Sequence, residues 1–314
     1  MKSKKIAVLI PCYNEELTIK KVIKDFKKAL PSASIYVYNN NSSDKTKEIA
    51  LKERVIVKDE YLQGKGNVVR SMFRDIDADV YVLVDGDDTY PAEEAKKLIN
   101  PVLEEKADMV IGDRLSSTYF TENKRPFHNT GNKLVRNLIN GLFKSNINDI
   151  MTGYRAFSKR FVKCMPVMSK GFQIETEMTI FSLVYNMNIV EVPITYRDRP
   201  EGSVSKLNTY SDGSKVLMTL FNLFKDNRPF LLFGTISIIL FILGLIVGIP
   251  VIVEFVKTAY ITKVPSAILA VGLVLNSFIL FAAGLIMDSI KNKSRFLYEC
   301  QINQIIDNFN KKGK

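Results

Sequence analysis

Two stretches toward the C-terminal end limit most sharply what this chain can become. Phe230 to Val253 and Val264 to Met287 each run for about 24 residues without a charged side chain. About 20 apolar residues are enough for a helix to cross a hydrocarbon core of about 30 Å. Only Glu254 to Lys263 lies between them, a length for a return loop and nothing larger. The pattern predicts a two-span transmembrane hairpin over 230–288, with both ends on one side. Two buried helices of a soluble core are the rival reading, and two uncharged runs of this length side by side argue against it. Pro250 and Pro265 stand near the ends of the runs, where a missing backbone donor does little harm. Lys291, Lys293, Arg295, Lys311, Lys312 and Lys314 follow the second run, whereas the loop sets Lys257 and Lys263 against Glu254. Positive charge favours the cytoplasmic side, so both termini and everything before the hairpin are expected there, with 289–314 a basic cytoplasmic tail of a plasma-membrane protein. The chain opens Met1-Lys2-Ser3-Lys4-Lys5 and goes at once into the short apolar run Ile6 to Ile10, which does not read as a cleavable signal peptide.

Before the hairpin, short apolar runs alternate with helical periodicity. Ile6 to Ile10, Ile35 to Tyr38, Val55 to Val57, Val80 to Val84 and Val110 to Arg114 read as strands. Between the first two, Leu17, Ile19, Val22, Ile23 and Phe26 recur at helical spacing. Strand–helix alternation of this kind predicts an α/β fold with a doubly wound, mostly parallel sheet. Ile189 to Tyr196 alternates apolar and polar residues, which suits an edge or antiparallel strand. Leu207 to Asn227 carries Val216, Leu217, Leu220, Phe221 and Phe224 at helical spacing. It reads as a juxtamembrane amphipathic helix over 207–229 or, equally, as a docking helix of the preceding domain.

The net charge of +11 points to a polyanionic partner, either a membrane surface or nucleic acid. No aromatic–basic interleaving supports nucleic acid. Three scattered cysteines and a single histidine, His128, exclude a Cys- or His-based metal cage. What remains is carboxylate chemistry. Val80 to Val84 ends in Asp85-Gly86-Asp87-Asp88-Thr89-Tyr90-Pro91, at the carboxyl end of a strand, where open α/β sheets bind ligands. Gly86 is expected to allow the tight turn that aims Asp85 and Asp87 at one place. Two such oxygen donors suit Mg²⁺ or Mn²⁺, hard ions that complete their shells with water and phosphate. An Asp-rich turn capping the next helix is the alternative.

Taken together, three motifs resemble family-2 glycosyltransferases. Ile10-Pro11-Cys12-Tyr13-Asn14-Glu15-Glu16 is similar to that family's strand followed by Pro-x-Tyr-Asn-Glu, and Asn39 to Thr46 to its Asp-Asp-Gly-Ser-x-Asp-x-Thr loop. Asp85-Gly86-Asp87 corresponds to its metal-binding Asp-x-Asp. Gly112-Asp113-Arg114, Asp149 to Arg155 and Arg199 to Lys206 look like the polyprenyl-phosphate sugar transferases, relatives of dolichol-phosphate mannose synthase, and the hairpin matches the lipid-linked glucosyltransferase branch. The resemblance spans about the first 230 residues and implies a GT-A-like domain over 1–206.

It also implies an activity: inverting transfer of one sugar from a UDP- or GDP-linked donor to a polyprenyl (undecaprenyl or dolichyl) phosphate, with Mg²⁺ or Mn²⁺ on Asp85 and Asp87. Pro11, Tyr13 and Glu15 correspond to residues lining the nucleoside pocket. Asn39 and Asn40 stand where the family has two aspartates, so their amides would meet base or ribose with a changed donor pattern. The resemblance puts Arg114 on the acceptor phosphate, with Arg125, Lys133 and Arg136 as further candidates, and Arg155, Arg199 and Lys206 on the donor diphosphate. Gln173, Glu175 and Glu177 belong either near the sugar or at a helix start; Thr89 has no assigned role. A processive polysaccharide synthase is disfavoured because the chain has no tryptophan for the Gln-x-x-Arg-Trp signature. A membrane-anchored, non-catalytic scaffold is the other alternative. Gly244 to Gly248 would permit the close helix contact of a homo-oligomer.

Overall fold

The computed structural model describes residues 4–116, 128–200, 202, 218, 221–222 and 224–312, and side chains in all of these except 128–132 and 306–312. The chain divides into two compact units, Met1–Leu217 and Met218–Lys314.

The first unit is built on a seven-stranded sheet among the described residues, ordered β3-β2-β1-β4-β6-β5-β7. Its strands are β1 (Ile6–Cys12), β2 (Ser34–Asn39), β3 (Ile56–Asp59), β4 (Val80–Leu83), β5 (Met109–Asp113), β6 (Arg155–Ser158) and β7 (Ile189–Pro193). The helices α1 (Ile19–Ala29), α2 (Thr46–Lys52), α3 (Lys65–Asp75) and α4 (Ala95–Leu103) make the crossovers. α5 (His128–Phe143), α6 (Lys159–Cys164) and α7 (Ile174–Val184) follow. β1 pairs in parallel with β2 and β4, in register Leu9 with Tyr36 and Leu9 with Leu83. This puts the carboxyl ends of β1, β2 and β4 along one edge, with Cys12 opposite Asn39 and the Asp85 turn beside them.

The sheet is mostly parallel as expected, with one strand that the sequence did not show and an edge strand where one was expected. β6 is antiparallel to both neighbours, wedged between β4 and β5, so the sheet is mixed. It spans four residues and opens with a buried arginine, which hid it from any hydrophobic-run criterion. β7 is an edge strand, and it runs parallel to β5; its alternation reflects half-burial at the edge.

The core lies on both faces of this sheet. Ile19, Val22, Ile23 and Phe26 of α1 and Leu98, Ile99 and Val102 of α4 pack on one buried cluster with Val8, Ile10, Val37 and Val82. Phe157 stacks on Phe161 at 4.7 Å, and Phe73 and Phe181 meet that pair edge-on. Burying such side chains contributes about 1.5–3 kcal/mol each.

The second unit holds α8 (Pro229–Thr258) and α9 (Val264–Lys312). Both are long and apolar enough to cross a membrane, with mean hydropathies of 3.1 and 2.3 over their most apolar windows. Only 17% of either window is buried, which is the opposite of a soluble core helix. Pro250 lies inside α8, and α9 continues past Met287 into the basic stretch. The helices meet through small residues: a Cβ on Gly244 would stand 2.8 Å from Val274, and one on Gly248 would stand 3.2 Å from Ala270. Ser237 Oγ donates to the Ser277 carbonyl at 2.8 Å. These glycines therefore serve contact within the chain.

Replacing Gly244 by Leu should force the two helices apart. Overpacking costs about 1–3 kcal/mol, and we expect the thermal midpoint of the detergent-solubilised protein to fall by several degrees; an unchanged midpoint would show that this contact is slack.

Candidate active site

The Asp85–Pro91 turn leaves β4 at the carboxyl edge. The residue with left-handed backbone is Asp88, at φ 60°, so Gly86 is not the hinge expected from sequence. Glycine is needed at 86 because a Cβ there would stand 2.8 Å from Cys12 Sγ. A side chain at 86 would have to displace the Cys12 thiol.

Each carboxylate of the Asp85–Asp87 pair meets a cation. Asp85 Oδ1 lies 2.5 Å from Lys65 Nζ, whose other partner is Glu175 Oε1 at 2.7 Å. The Lys65 side chain is 7% exposed. Burial works against its ammonium, but Asp85 and Glu175 outweigh burial and the pKa is raised. Burial lifts the Glu175 carboxyl, and Lys65 pulls it back. Lys65 begins α3, and Gly66 beside it presses on the Ser169 carbonyl so closely that a Cβ would stand 2.1 Å away. That 168–170 loop is itself fixed: Glu177 accepts from the Met168 and Ser169 N–H groups at 2.8 Å, and Arg70 donates to the Val167 carbonyl at 2.7 Å. Glu177 is thus committed to the backbone of this loop, whereas Glu175 joins the acidic turn.

Asp87 is 5% exposed. Its Oδ1 accepts from the Thr89 hydroxyl at 2.6 Å and the Thr89 N–H at 3.2 Å, which gives Thr89 a role. Its Oδ2 lies 2.5 Å from Arg199 Nη2, while Arg199 Nη1 is 3.8 Å from Glu15 Oε1. Burial first, then the charge of Asp85, raises the Asp87 carboxyl above the ordinary range; Arg199 and Thr89 hold it down. Glu15 is buried, with Thr18 Oγ1 bridging its Oε2 at 3.3 Å and the Gly86 carbonyl at 2.6 Å. Residues 14–16 are tied to the next loop by Glu15 N–H to Thr46 Oγ1 at 2.8 Å and Glu16 N–H to Asp44 at 3.0 Å. Glu15, Arg199 and Asp87 thereby form one ionic group, and Asp85, Lys65 and Glu175 a second, meeting where the like charges of Asp85 and Asp87 face each other.

A second network backs the first. Tyr90 Oη accepts from the Gly153 N–H at 3.2 Å and from Arg114 Nη1 at 3.4 Å. Arg114 Nε donates to Asp149 Oδ2 at 2.9 Å and Nη2 to the Met151 carbonyl at 3.2 Å. Its guanidinium also lies over the Tyr196 ring at 5.8 Å. Arg155 is 0% exposed and donates to the carbonyls of Thr152 at 3.0 Å and Ile150 at 2.6 Å, and to Thr179 Oγ1 at 2.9 Å. Burial lowers its pKa to about 10. Both arginines brace the 149–153 loop, bringing Gly153 onto Asp85: a Cβ at 153 would stand 2.3 Å from Asp85 Oδ2.

Of the other residues singled out in sequence, Asn40 donates to the Glu60 and Leu62 carbonyls at 2.9 Å and accepts from the Gly64 N–H at 2.7 Å. It staples the loop before α3. Asn39 donates to Asp59 at 3.0 Å. Pro11 is half-buried and Tyr13 exposed at the same edge. Lys133 is exposed and Arg136 half-buried on α5, and neither belongs to the ion pairs described for the acidic turn. Arg125 and Lys206 lie outside the described residues, as do the His128 side chain and most of 207–227.

The donor set fits a divalent ion in one respect: hard carboxylate oxygens sit together at a strand end. Among the described residues no group of three or more His, Cys, Asp or Glu side chains is gathered as a metal cage. Such an ion would thus complete its shell with water and phosphate.

Comparison with known proteins agrees with this architecture. The sequence profile described as Glycosyl transferase family 2 matches residues 7–165. Glycosyltransferase AglJ of Haloferax volcanii is 32% identical over 90% of this chain and 90% of its own length. A Haloferax volcanii protein named Dolichyl-phosphate hexose transferase is 30% identical over 67% of this chain and 90% of its own. Among solved structures, glucosyl-3-phosphoglycerate synthase from Mycobacterium tuberculosis, in complex with Mn²⁺, UDP and phosphoglyceric acid, superposes with a TM-score of 0.58 at 19% identity. The match covers 70% of this chain and 78% of the synthase. The fold is that of GT-A-like enzymes.

Two substitutions separate the networks. Gly153→Ala should displace Asp85 and fall chiefly on turnover, lowering it at least about 100-fold, the scale of a 1 Å misplacement, beside some loss of stability. Arg155→Met should act on stability instead, because two buried carbonyls lose their donor at about 1–3 kcal/mol each. Urea unfolding monitored beside steady-state kinetics distinguishes them.

Proposed function

The chain belongs to glycosyl transferase family 2, and from that premise we propose that it moves one sugar from a nucleotide-diphosphate donor to a polyprenyl phosphate at the cytoplasmic face of a membrane. The observation that carries this reading is the acidic turn with Arg199 at the sheet edge, in a chain that also holds two helices long enough to span a bilayer. The relative named Dolichyl-phosphate hexose transferase supports a polyprenyl-phosphate acceptor. The UDP and Mn²⁺ in the synthase complex support a UDP-linked donor and a divalent ion.

On this reading Asp87, with Asp85 beside it, would hold Mg²⁺ or Mn²⁺, which when bound neutralises charge building on the leaving diphosphate. Pro11, Tyr13 and Glu15 line the nucleoside side, with Asn39 at the strand end and Asn40 shaping the adjacent loop. Arg199 and Lys206 serve the donor diphosphate. The acceptor is anionic near neutral pH and needs no strong base; cations must only hold and orient it. Lys133, Arg136 and Arg125 are the candidates for that work. Arg114 and Arg155 contribute by positioning: their donors are turned toward Asp149, Met151, Thr152 and Ile150. One in-line displacement inverts the anomeric centre. We further propose the domain plan of a catalytic part over 1–206, a juxtamembrane helix over 207–229, a hairpin over 230–288 and a basic segment over 289–314, with both termini cytoplasmic.

Membranes containing the protein, given radiolabelled UDP-sugars or GDP-mannose with Mn²⁺ and polyprenyl phosphate, should yield label in the organic phase. Asp87→Ala should reduce it at least about 1,000-fold, the upper range for losing one stabilising group in the transition state, while insertion into membranes is unchanged. Label in long polymer would indicate a synthase instead, and no label with any donor would indicate a binding protein.

A further inference from the structure

The second unit carries a polar side chain where a spanning helix has least use for one. Asn276 stands in the middle of the uncharged run Val264 to Met287, on α9, and is exposed. Its Nδ2 donates to the Gly272 carbonyl at 2.9 Å, one turn back on the same helix. Its acceptor oxygen and remaining N–H meet no partner among the described residues, and hydrocarbon offers neither a donor nor an acceptor. Gly272 shares this face, and a Cβ there would meet nothing within 4 Å. α8 lies against a different face of α9, reached through Ala270, Val274 and Ser277.

We propose that this face of α9 is a homodimer seam, occupied by α9 of a second copy of the chain; the proposal rests on the reading that α8 and α9 cross a membrane. From Leu269 through Gly272, Asn276, Ile279, Ala283 and Ile286 the steps alternate between three and four residues. That is the spacing of a coiled-coil seam, with Asn276 at an a position. Lipid accounts for exposed apolar side chains inside the run but not for those past it. Ile290 and Leu297 continue the same register among Lys291, Lys293 and Arg295, and they are 57% and 53% exposed. Lys293, at the seam position between them, lays its stem along such a seam and keeps its ammonium in water. A second copy threads the membrane in the same sense, so its α9 runs parallel and brings an Asn276 to the same depth. Each carboxamide then both donates and accepts, the pairing by which a single a-position Asn fixes register and oligomer state. Gly272 lets the two backbones close up beside that pair. A two-fold axis between the copies makes the contact self-complementary and closed.

The test is energy transfer between donor- and acceptor-labelled copies of the full chain in liposomes, labelled at the N-terminus and followed as the protein-to-lipid ratio falls. Wild type should titrate as a dimer. Asn276→Leu and Gly272→Ile should each weaken it about 10-fold, the scale of an interhelical hydrogen bond or close contact in lipid. Val271→Ala, which alters an exposed side chain on another face of the helix, should match wild type. The exposed Cys300 falls at a seam position as well, so mild oxidation should join wild-type copies through it, with a lower yield in Asn276→Leu. Equal transfer in wild type, Asn276→Leu and Gly272→Ile, or a wild type that stays monomeric at every ratio, would overturn the proposal and leave the hairpin reading standing. Protein that alkaline carbonate strips from the liposomes would overturn both.

Discussion

The interaction on which the rest of the first unit depends is the buried contact of Lys65 with Asp85 and Glu175. It joins the start of α3, the turn after β4 and the start of α7, three elements that are far apart in sequence. Removing one partner from such a group leaves an uncompensated charge in a poorly solvated place, which costs about 3–5 kcal/mol. The surrounding structure is built to keep the group together. Glu177 and Arg70 fix the loop that bears on Gly66, and Arg114 and Arg155 fix the loop that bears on Asp85. Two carboxylates can face one cleft in this fold because each has a cation of its own.

Function then follows from the asymmetry between those cations. A lysine sealed on both sides acts as a fixed part of the scaffold, whereas Arg199 reaches Asp87 from the half-exposed segment after β7. Pre-organised charge of this kind needs no rearrangement at the moment of reaction. On the proposed function an anionic acceptor supplies its own nucleophile, and the protein's task is placement.

Much of this was legible in the sequence where hydrophobic pattern and motif coincide. The buried run Val80 to Val84 announced both a central strand and the position of Asp85 and Asp87 at its end. The uncharged runs announced α8 and α9. What stayed hidden has physical causes. β6 is four residues long and starts with an arginine, so no apolar run marks it. Lys65 carried only a faint signal, a lysine between two glycines at a helix start, and its partners stand 20 and 110 residues away, at Asp85 and Glu175. Arg114 and Arg155 looked like phosphate ligands because sequence shows a basic side chain and not where its donors point. In the folded chain those donors meet Asp149 and backbone carbonyls.

A structure of the full chain with Mn²⁺ and UDP bound is the most direct examination of this account. It should show the ion beside Asp85 and Asp87, with Lys65 still between Asp85 and Glu175. An ion coordinated elsewhere, or Lys65 drawn away from Asp85, would contradict it.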